Sequence, residues 1–470
     1  MTLDQAEALA RAPRAYLIAA AGCGKTEALA WAAGVHSEGR QLVLTHTHAG
    51  VKAVKDRLNR VSSDRGRVHV DTIAGFALRY AASFPQVSGL VTAEPATSEE
   101  WTAVYEAGRR IFGSKVGREV LARSFAGMFV DEYQDCVVPQ HDLVMVMAEA
   151  LPCRVVLDPL QGIFDFAGPI VSYEDHLAPA FDRLPDLTTP FRWIDTNPQL
   201  GEWLTDVRTR IEAGQPVDLN GAPVTQGEVS PVSQVKACFE LAKRGGSAVA
   251  IGRWEGDTHA IAKRLKGVFT VMEPIECPDL LEWAARLEGS TGAARALAVI
   301  DFAKICMTQV GTQLQTAATA YRNGTTPVVR STTRHREAVE ALNIVVTNPA
   351  LDHVLAAMTQ VAAISDARMH RRELWRDMVR AIRTYAFESH QTLRDAAWRV
   401  RDRGRYGGRR VEHRTVSRTV LAKGLEFDHA LVLDAEVHDG PNLYVALTRG
   451  SRSLTVLSAD RLIATTNVAS

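Results

Sequence analysis

The stretch Ala19-Ala20-Ala21-Gly22-Cys23-Gly24-Lys25-Thr26 holds the residue types with the most specific chemistry. Glycines let a backbone fold tightly around an anion. Its amides, and the dipole of a helix that follows, then face the negative charge. Lys25 would reach the β- and γ-phosphates of a nucleotide, and the Thr26 hydroxyl would ligate Mg²⁺. Gly22, Cys23 and Gly24 would supply the cradle. The stretch stands between an apolar run, Ala15 to Ala20, and a helix-forming run, Glu27 to Ala33. That is the strand, turn and helix start that a phosphate-binding loop requires. The usual G-x-x-x-x-G-K-[ST] pattern begins with glycine, and Ala19 stands in that position here.

A second constellation is Met128-Phe129-Val130-Asp131-Glu132-Tyr133-Gln134-Asp135, an apolar strand ending in adjacent acids. Asp131 suits a Mg²⁺ held through its water shell, and Glu132 suits the orientation of an attacking water. A solvated turn is the plainer alternative. Gln5, in Leu3-Asp4-Gln5, could read an adenine edge with its amide donor and acceptor. Arg154 to Gln161 reads as a further strand with a polar end, where Gln161 could sense a γ-phosphate. Phe164 and Phe166 follow it and suit either base stacking or core packing.

The elements that must carry these residues read as α/β. Gln41 to Thr45 and Val68 to Thr72 are apolar strands that lead to Thr47 and Thr72. Polar residues at the C-terminal ends of parallel strands line the ligand crevice of an open sheet. A chain of 470 residues implies more than one domain, with 46% apolar residues, ample for sizeable cores. Lys plus Arg equals Asp plus Glu at 54 each, so net charge points to no polyanionic partner, although a local basic face would suffice for one. Six scattered cysteines form no C-x-x-C pair, which argues against a zinc site or a disulfide framework. No apolar run reaches 18 residues. The expectation is a cytoplasmic protein with no membrane association.

Taken in order, these motifs resemble the UvrD/Rep/PcrA family of superfamily 1 helicases. The carriers are Leu3-Asp4-Gln5, the phosphate loop, Asp131-Glu132-Tyr133-Gln134-Asp135 and Leu157-Asp158-Pro159-Leu160-Gln161-Gly162-Ile163-Phe164. Phe191-Arg192, Lys423-Gly424-Leu425-Glu426-Phe427-Asp428 and Leu443-Tyr444-Val445-Ala446-Leu447-Thr448-Arg449 continue the match. The resemblance implies two RecA-like parallel-sheet domains with short helical insertions. The first would span 1–200, with an insertion near 77–125. The second would span 201–470, with an insertion near 277–410. ATP and Mg²⁺ would bind between them. Phe191 would stack on adenine, Arg192 would touch the γ-phosphate, Glu426 would meet the ribose, and Arg449 would reach across the cleft. Single-stranded DNA would cross both domains over the sheet ends opposite the ATP loops, with 3′-to-5′ movement.

Departures from the family pattern fall on the DNA side. His48-Ala49 stands for Asn-Lys, Ile73-Ala74-Gly75 for Phe-His-Ser, and Ala167 for an arginine. Residues 366–418 carry fifteen arginines, no lysine and seven acids, interleaved with aromatics. That composition suits phosphate contacts and stacking, and equally a helix that buries its aromatics. Arg405, Tyr406 and Arg409, on an expected loop tip, are the phosphate-contact candidates. Two activities follow from the resemblance. One is an ATP-dependent translocase that unwinds DNA. The other is a DNA-sensing ATPase that controls a partner nuclease; compact relatives occur beside nucleases in phage-defence systems such as Gabija.

Overall fold

The computed structural model describes residues 3–62, 64, 66–92, 95, 97–163, 171–274, 277–387, 392–407 and 411–465, with backbone alone for 3, 387 and 404–407. Two six-stranded, wholly parallel sheets form its framework, as expected of two RecA-like domains.

The first sheet runs in the order Val68–Thr72, Gln41–Thr45, Gly127–Val130, Cys153–Leu157, Arg14–Ile18, Asp182–Arg183. Its central strands are buried along their whole length. They read as continuous apolar runs because helices cover both faces. Alternation then sorts their side chains into two layers. Leu42, Leu44, Met128, Val130 and Val155 enter one core. Leu17, Val43, Phe129 and Val156 enter the other. The helices Ile73–Ser83, Ser98–Gly113 and Lys115–Ser124 bring Phe76, Phe112 and Leu121 to the first of these cores. Thr97 and Glu100 start the long one with a reciprocal capping box.

All six strands point the same way, so the phosphate loop, Thr47, Thr72, Asp131 and Asp158 gather at one edge. The two threonines expected near DNA therefore lie at the same strand ends as the phosphate loop. In this sheet, Thr47 and Thr72 share the phosphate loop's edge and differ from it only in lateral position.

The second sheet runs Thr270–Val271, Arg414–Arg418, Ala248–Gly252, Phe427–Val432, Gly450–Leu457, Thr225–Gly227. Helix Pro198–Glu212 buries Leu200, Leu204, Val207 and Ile211 against Val249, Ile251, Leu443 and Leu447, and Trp193 belongs to the same core. Between the neighbouring strands Thr270–Val271 and Arg414–Arg418 the chain makes an excursion in which the described residues form eight helices, Pro278–Gly289 to Leu393–Gly407, with a core of its own. Helix Arg372–Phe387 shows why the excursion folds separately. Leu374, Trp375, Met378, Ala381 and Ile382 form one buried stripe, and its arginines occupy the rest. The last helix of the excursion, Leu393–Gly407, packs back against helix His48–Val61 of the first sheet's unit.

Candidate nucleotide site between the two sheets

The phosphate loop leaves strand Arg14–Ile18 and turns through two left-handed glycines, Gly22 at φ +73° and Gly24 at φ +83°. Gly24 caps helix Lys25–Trp31 without any side-chain acceptor, so no side chain occupies the first-turn amides. Lys25 is buried, and its ammonium lies 2.7 Å from Glu132 Oε2.

Glu132 follows the acidic strand end with φ +56°. A side-chain-bearing residue there stores roughly 1–3 kcal/mol of strain. The conformation is held by its neighbours: Glu132 N donates to Asp131 Oδ1 at 3.0 Å, and Gln134 Nε2 donates to the Glu132 carboxylate. Burial opposes the charge on Glu132, but Lys25, and then Lys423, outweigh it and hold the carboxyl down at about 2. Asp131 lacks such compensation, and burial pushes it up to about 7 against the pull of Lys25. A dication beside Asp131 would offset that penalty. The Thr26 hydroxyl and the Asp131 carboxylate are oxygen donors of the type Mg²⁺ takes, and Mg²⁺ needs only one or two protein ligands beside phosphates and waters. Among the described residues, no cluster of three or more His, Cys, Asp or Glu side chains stands ready to hold a metal without such help.

The second unit completes the site. Arg192 Nε donates to Glu426 Oε2 at 2.8 Å, and its NH1 donates to the Thr448 carbonyl at 2.7 Å. Arg449 is almost fully buried. Its Nε donates to Val445 O at 2.8 Å, NH1 to Leu425 O at 3.0 Å and NH2 to Thr448 Oγ1 at 2.8 Å. With only neutral acceptors, burial and the nearby Arg192 lower the guanidinium to about 9, and Glu132 and Glu426 act in the opposite direction. Lys423 crosses from the second unit to pair with the buried Asp135 and to donate to the Gln161 carbonyl.

Behind these groups a hydrogen-bonded circuit returns to the loop. Gln134 Oε1 accepts from Asp158 N at 3.0 Å. The fully buried Asp158 takes Gln161 Nε2 at 2.6 Å and Arg208 NH1 at 2.6 Å. Arg208 also reaches Tyr444 Oη at 3.4 Å, and Ala21 N donates to the same hydroxyl at 3.1 Å. Asp158, Arg208, Tyr444 and Trp193 drew no role from the sequence, because each acts through a partner distant along the chain.

The remaining expected residues are distributed as follows. Gln5 lies on helix Leu3–Arg11, which packs against helix Lys25–Trp31. Phe191 is 40% exposed beside Arg192. Cys23 is buried, and desolvation, then Asp158, push its thiol up to about 12. Thr47 and Thr72 both cap helices: Gly50 N donates to Thr47 Oγ1 at 3.0 Å and Gly75 N to Thr72 Oγ1 at 2.9 Å. Phe164, Phe166, Ala167 and Arg409 lie outside the described residues. Arg405 and Tyr406 fall within helix Leu393–Gly407 and not on a loop tip, and their side chains are not described.

Part of the basic stretch 366–418 turns inward, while Arg368, Arg372, Arg380, Arg383 and Arg399 stay exposed. Arg371 grips Glu273 with two hydrogen bonds, of 2.8 and 2.6 Å, and Asp279 with a third of 2.7 Å. Arg376 pairs with Glu412 at 2.9 Å, and Arg401 with Glu373 at 3.0 Å and Asp377 at 3.2 Å. These arginines anchor the helical excursion, so the sequence's excess of positive charge overstates what solvent meets. The aromatic that sequence reading passed over is Trp254. It is 58% exposed just beyond strand Ala248–Gly252, with the Arg253 guanidinium 5.3 Å from its ring. A tryptophan directly after a strand end was the available signal.

No protein-family model and no curated protein matches the sequence. Among the solved structures similar to it are two Pif1 helicases. The Pif1 helicase from Bacteroides, in complex with ADP-AlF3 and ssDNA, is 14% identical over 55% of this chain and 55% of that one, with a TM-score of 0.29. The Pif1 helicase from Candida albicans is 10% identical over 98% of this chain and 95% of that one, with a TM-score of 0.38. The chain thus matches about half the length of the Bacteroides protein. With scores below 0.5, neither likeness bears on the chemistry of the site. No described helix is long and apolar enough to cross a membrane.

Proposed function

We propose that the chain is an ATP hydrolase that acts on single-stranded DNA, a translocase or helicase of superfamily 1. The supporting observation is convergence: Lys25, Asp131 and Glu132 from one parallel-sheet unit meet Arg192, Lys423, Glu426 and Arg449 at the border of the other. Glu132, held ionised, orients the attacking water. Lys25 leaves Glu132 for the β- and γ-phosphates. Arg449 neutralises charge on the transferring phosphoryl group, a role worth roughly 10³–10⁵ in rate. Mg²⁺, when bound, supplies charge neutralisation beside Thr26 and Asp131. Because Arg449 and Lys423 come from the second unit, hydrolysis is linked to cleft closure.

Thr47, Thr72 and Trp254, at C-terminal strand edges, are proposed to meet the DNA strand. The UvrD-type motif order supports 3′-to-5′ movement. The second reading, a DNA-sensing ATPase that governs a nuclease, draws on the inward-turned arginines of the helical excursion. The test measures ATP hydrolysis with and without single-stranded DNA for wild type and Lys25→Ala, then strand separation on a 3′-tailed duplex. DNA-stimulated hydrolysis lost in Lys25→Ala is expected. Absent or DNA-independent hydrolysis would overturn the motor reading, and hydrolysis without unwinding would favour the regulatory one.

A further inference from the structure

Trp193 is almost fully buried between two parts of the site, the phosphate loop and the chain around Arg449. The outer ring of its indole lies against the phosphate loop at Gly22. A Cβ built on Gly22 would stand 2.5 Å from Trp193 Cζ3 and 2.9 Å from Cη2, so only glycine fits opposite the ring. The neighbouring Arg192 N donates to Gly22 O at 3.1 Å, which fixes the same contact through the backbone.

On its other side the segment grips the chain around Arg449. Trp193 Nε1 donates to Gly450 O at 2.8 Å. Arg192 NH1 donates to Thr448 O at 2.7 Å, Thr196 Oγ1 to Ser451 O at 2.7 Å and Asn197 Nδ2 to Arg452 O at 3.0 Å. Four side chains from one short stretch thus hold four carbonyls that bracket Arg449. The Arg449 guanidinium is itself tied to Val445, Leu425 and Thr448. It therefore moves with its backbone and not by swinging alone.

We infer that Trp193 is a positioning residue, a strut that passes displacement of the phosphate loop at Gly22 to the backbone carrying Arg449. This rests on the ATP hydrolase reading above. A close-packed aromatic transmits displacement because its surroundings deform little. Its N–H gives the push a direction, towards Gly450. Trp193→Phe keeps the apolar filling near the backbone while removing both the N–H and the ring that touches Gly22.

The experiment compares steady-state ATP hydrolysis of wild type, Trp193→Phe, Arg449→Ala and the double variant. The strut requires Trp193→Phe to lower kcat about tenfold or more with KM for ATP within about twofold, a split that mere loosening of the fold would not give. It also requires little further loss on the Arg449→Ala background. Wild-type kcat in Trp193→Phe, or a loss that multiplies in full with that of Arg449→Ala, overturns the strut. A second arm is independent of hydrolysis: urea unfolding of Gly22→Ala, Trp193→Phe and their combination. The added methyl needs the room that phenylalanine leaves, so the double variant must have a higher midpoint than the two single shifts sum to. Additive midpoints overturn the contact. A wild type that hydrolyses no ATP while this arm is non-additive overturns the nucleotide reading and the transmission to Arg449 but not the contact.

Discussion

The Lys25 ammonium and the Glu132 carboxylate stand 2.7 Å apart, so the cation of the phosphate loop and the base of the acidic strand neutralise each other. Neither can do its chemistry while so engaged. On the proposed ATP hydrolase reading, phosphate arriving at the loop would compete with Glu132 for Lys25 and free the carboxylate for water.

Breaking this pair by one partner is expected to be costly. Lys25→Met leaves Glu132 among other acids without its main counter-charge, and truncating one member of a buried pair typically costs about 3–5 kcal/mol. Glu132 retains some solvent contact, so the lower end applies. Adding Glu132→Gln to Lys25→Met should recover most of that loss in urea unfolding, while hydrolysis stays absent in both. A double variant no more stable than Lys25→Met would show that the pair does not bear on stability.

Asp131 makes a pH prediction. Burial raises its carboxyl from 3.8 to about 7. Between those values the folded protein keeps a proton that the unfolded chain has released. Stability from this group is therefore complete below about pH 4 and falls as pH rises through about 7. Metal-free Asp131→Asn should melt at a higher temperature than metal-free wild type at pH 8. The gap should shrink below pH 7 and close near pH 4. Equal melting at pH 8 would contradict the buried charge.

Lys423 spans the cleft, and Asp135, its partner, is buried. Lys423→Ala removes a contact that holds the two units together and leaves that carboxylate unpaired. X-ray scattering in solution should report a larger radius of gyration for the nucleotide-free variant, and Asp135→Asn added to it should restore stability without restoring compactness. An unchanged radius would mean that the units are held by their apolar contacts alone.

The α/β framework and the local motifs were legible because they depend on short range. An apolar strand followed by Gly22 to Thr26, or by Asp131-Glu132, carries its own context. What could not be read were partners distant along the chain. The arginines 371, 376 and 401 resembled a polyanion-binding face until Glu273, Glu412 and Glu373 proved to stand against them. Asp158 appeared only as one letter of the motif Leu157 to Phe164, although it joins Gln161 to Arg208. Thr47 and Thr72 were expected near DNA, and their capping hydrogen bonds account for them locally.

Arg449 yields a graded prediction. Arg449→Ala should lower kcat about 10³-fold or more with a modest change in KM. Arg449→Lys should fare little better, since a lysine cannot reproduce the forked grip on Val445, Leu425 and Thr448. Near-normal turnover in either variant would mean that the second unit does not complete the site.

All six cysteines are free and buried, and desolvation raises Cys23, Cys153 and Cys238 to about 12. Thiolate, the reactive form, is therefore scarce at neutral pH. Native protein at pH 7.5 should react with far less than one equivalent of a thiol reagent per chain within minutes, and with all six after denaturation. Rapid labelling of Cys23 would contradict its burial.

The helical excursion leaves and re-enters the second sheet between adjacent strands, since Thr270 faces Thr415 and Val271 faces Val416. Its returning backbone also covers that strand, with Val271 N donating to His370 O at 2.8 Å. During synthesis, strand Thr270–Val271 emerges long before its partner and must wait, unpaired, until the whole helical body has been made. The body has its own core and can fold first, bringing the two strand ends together as it does. This edge pairing of the sheet is thus a short-range closure, although it joins residues far apart in sequence.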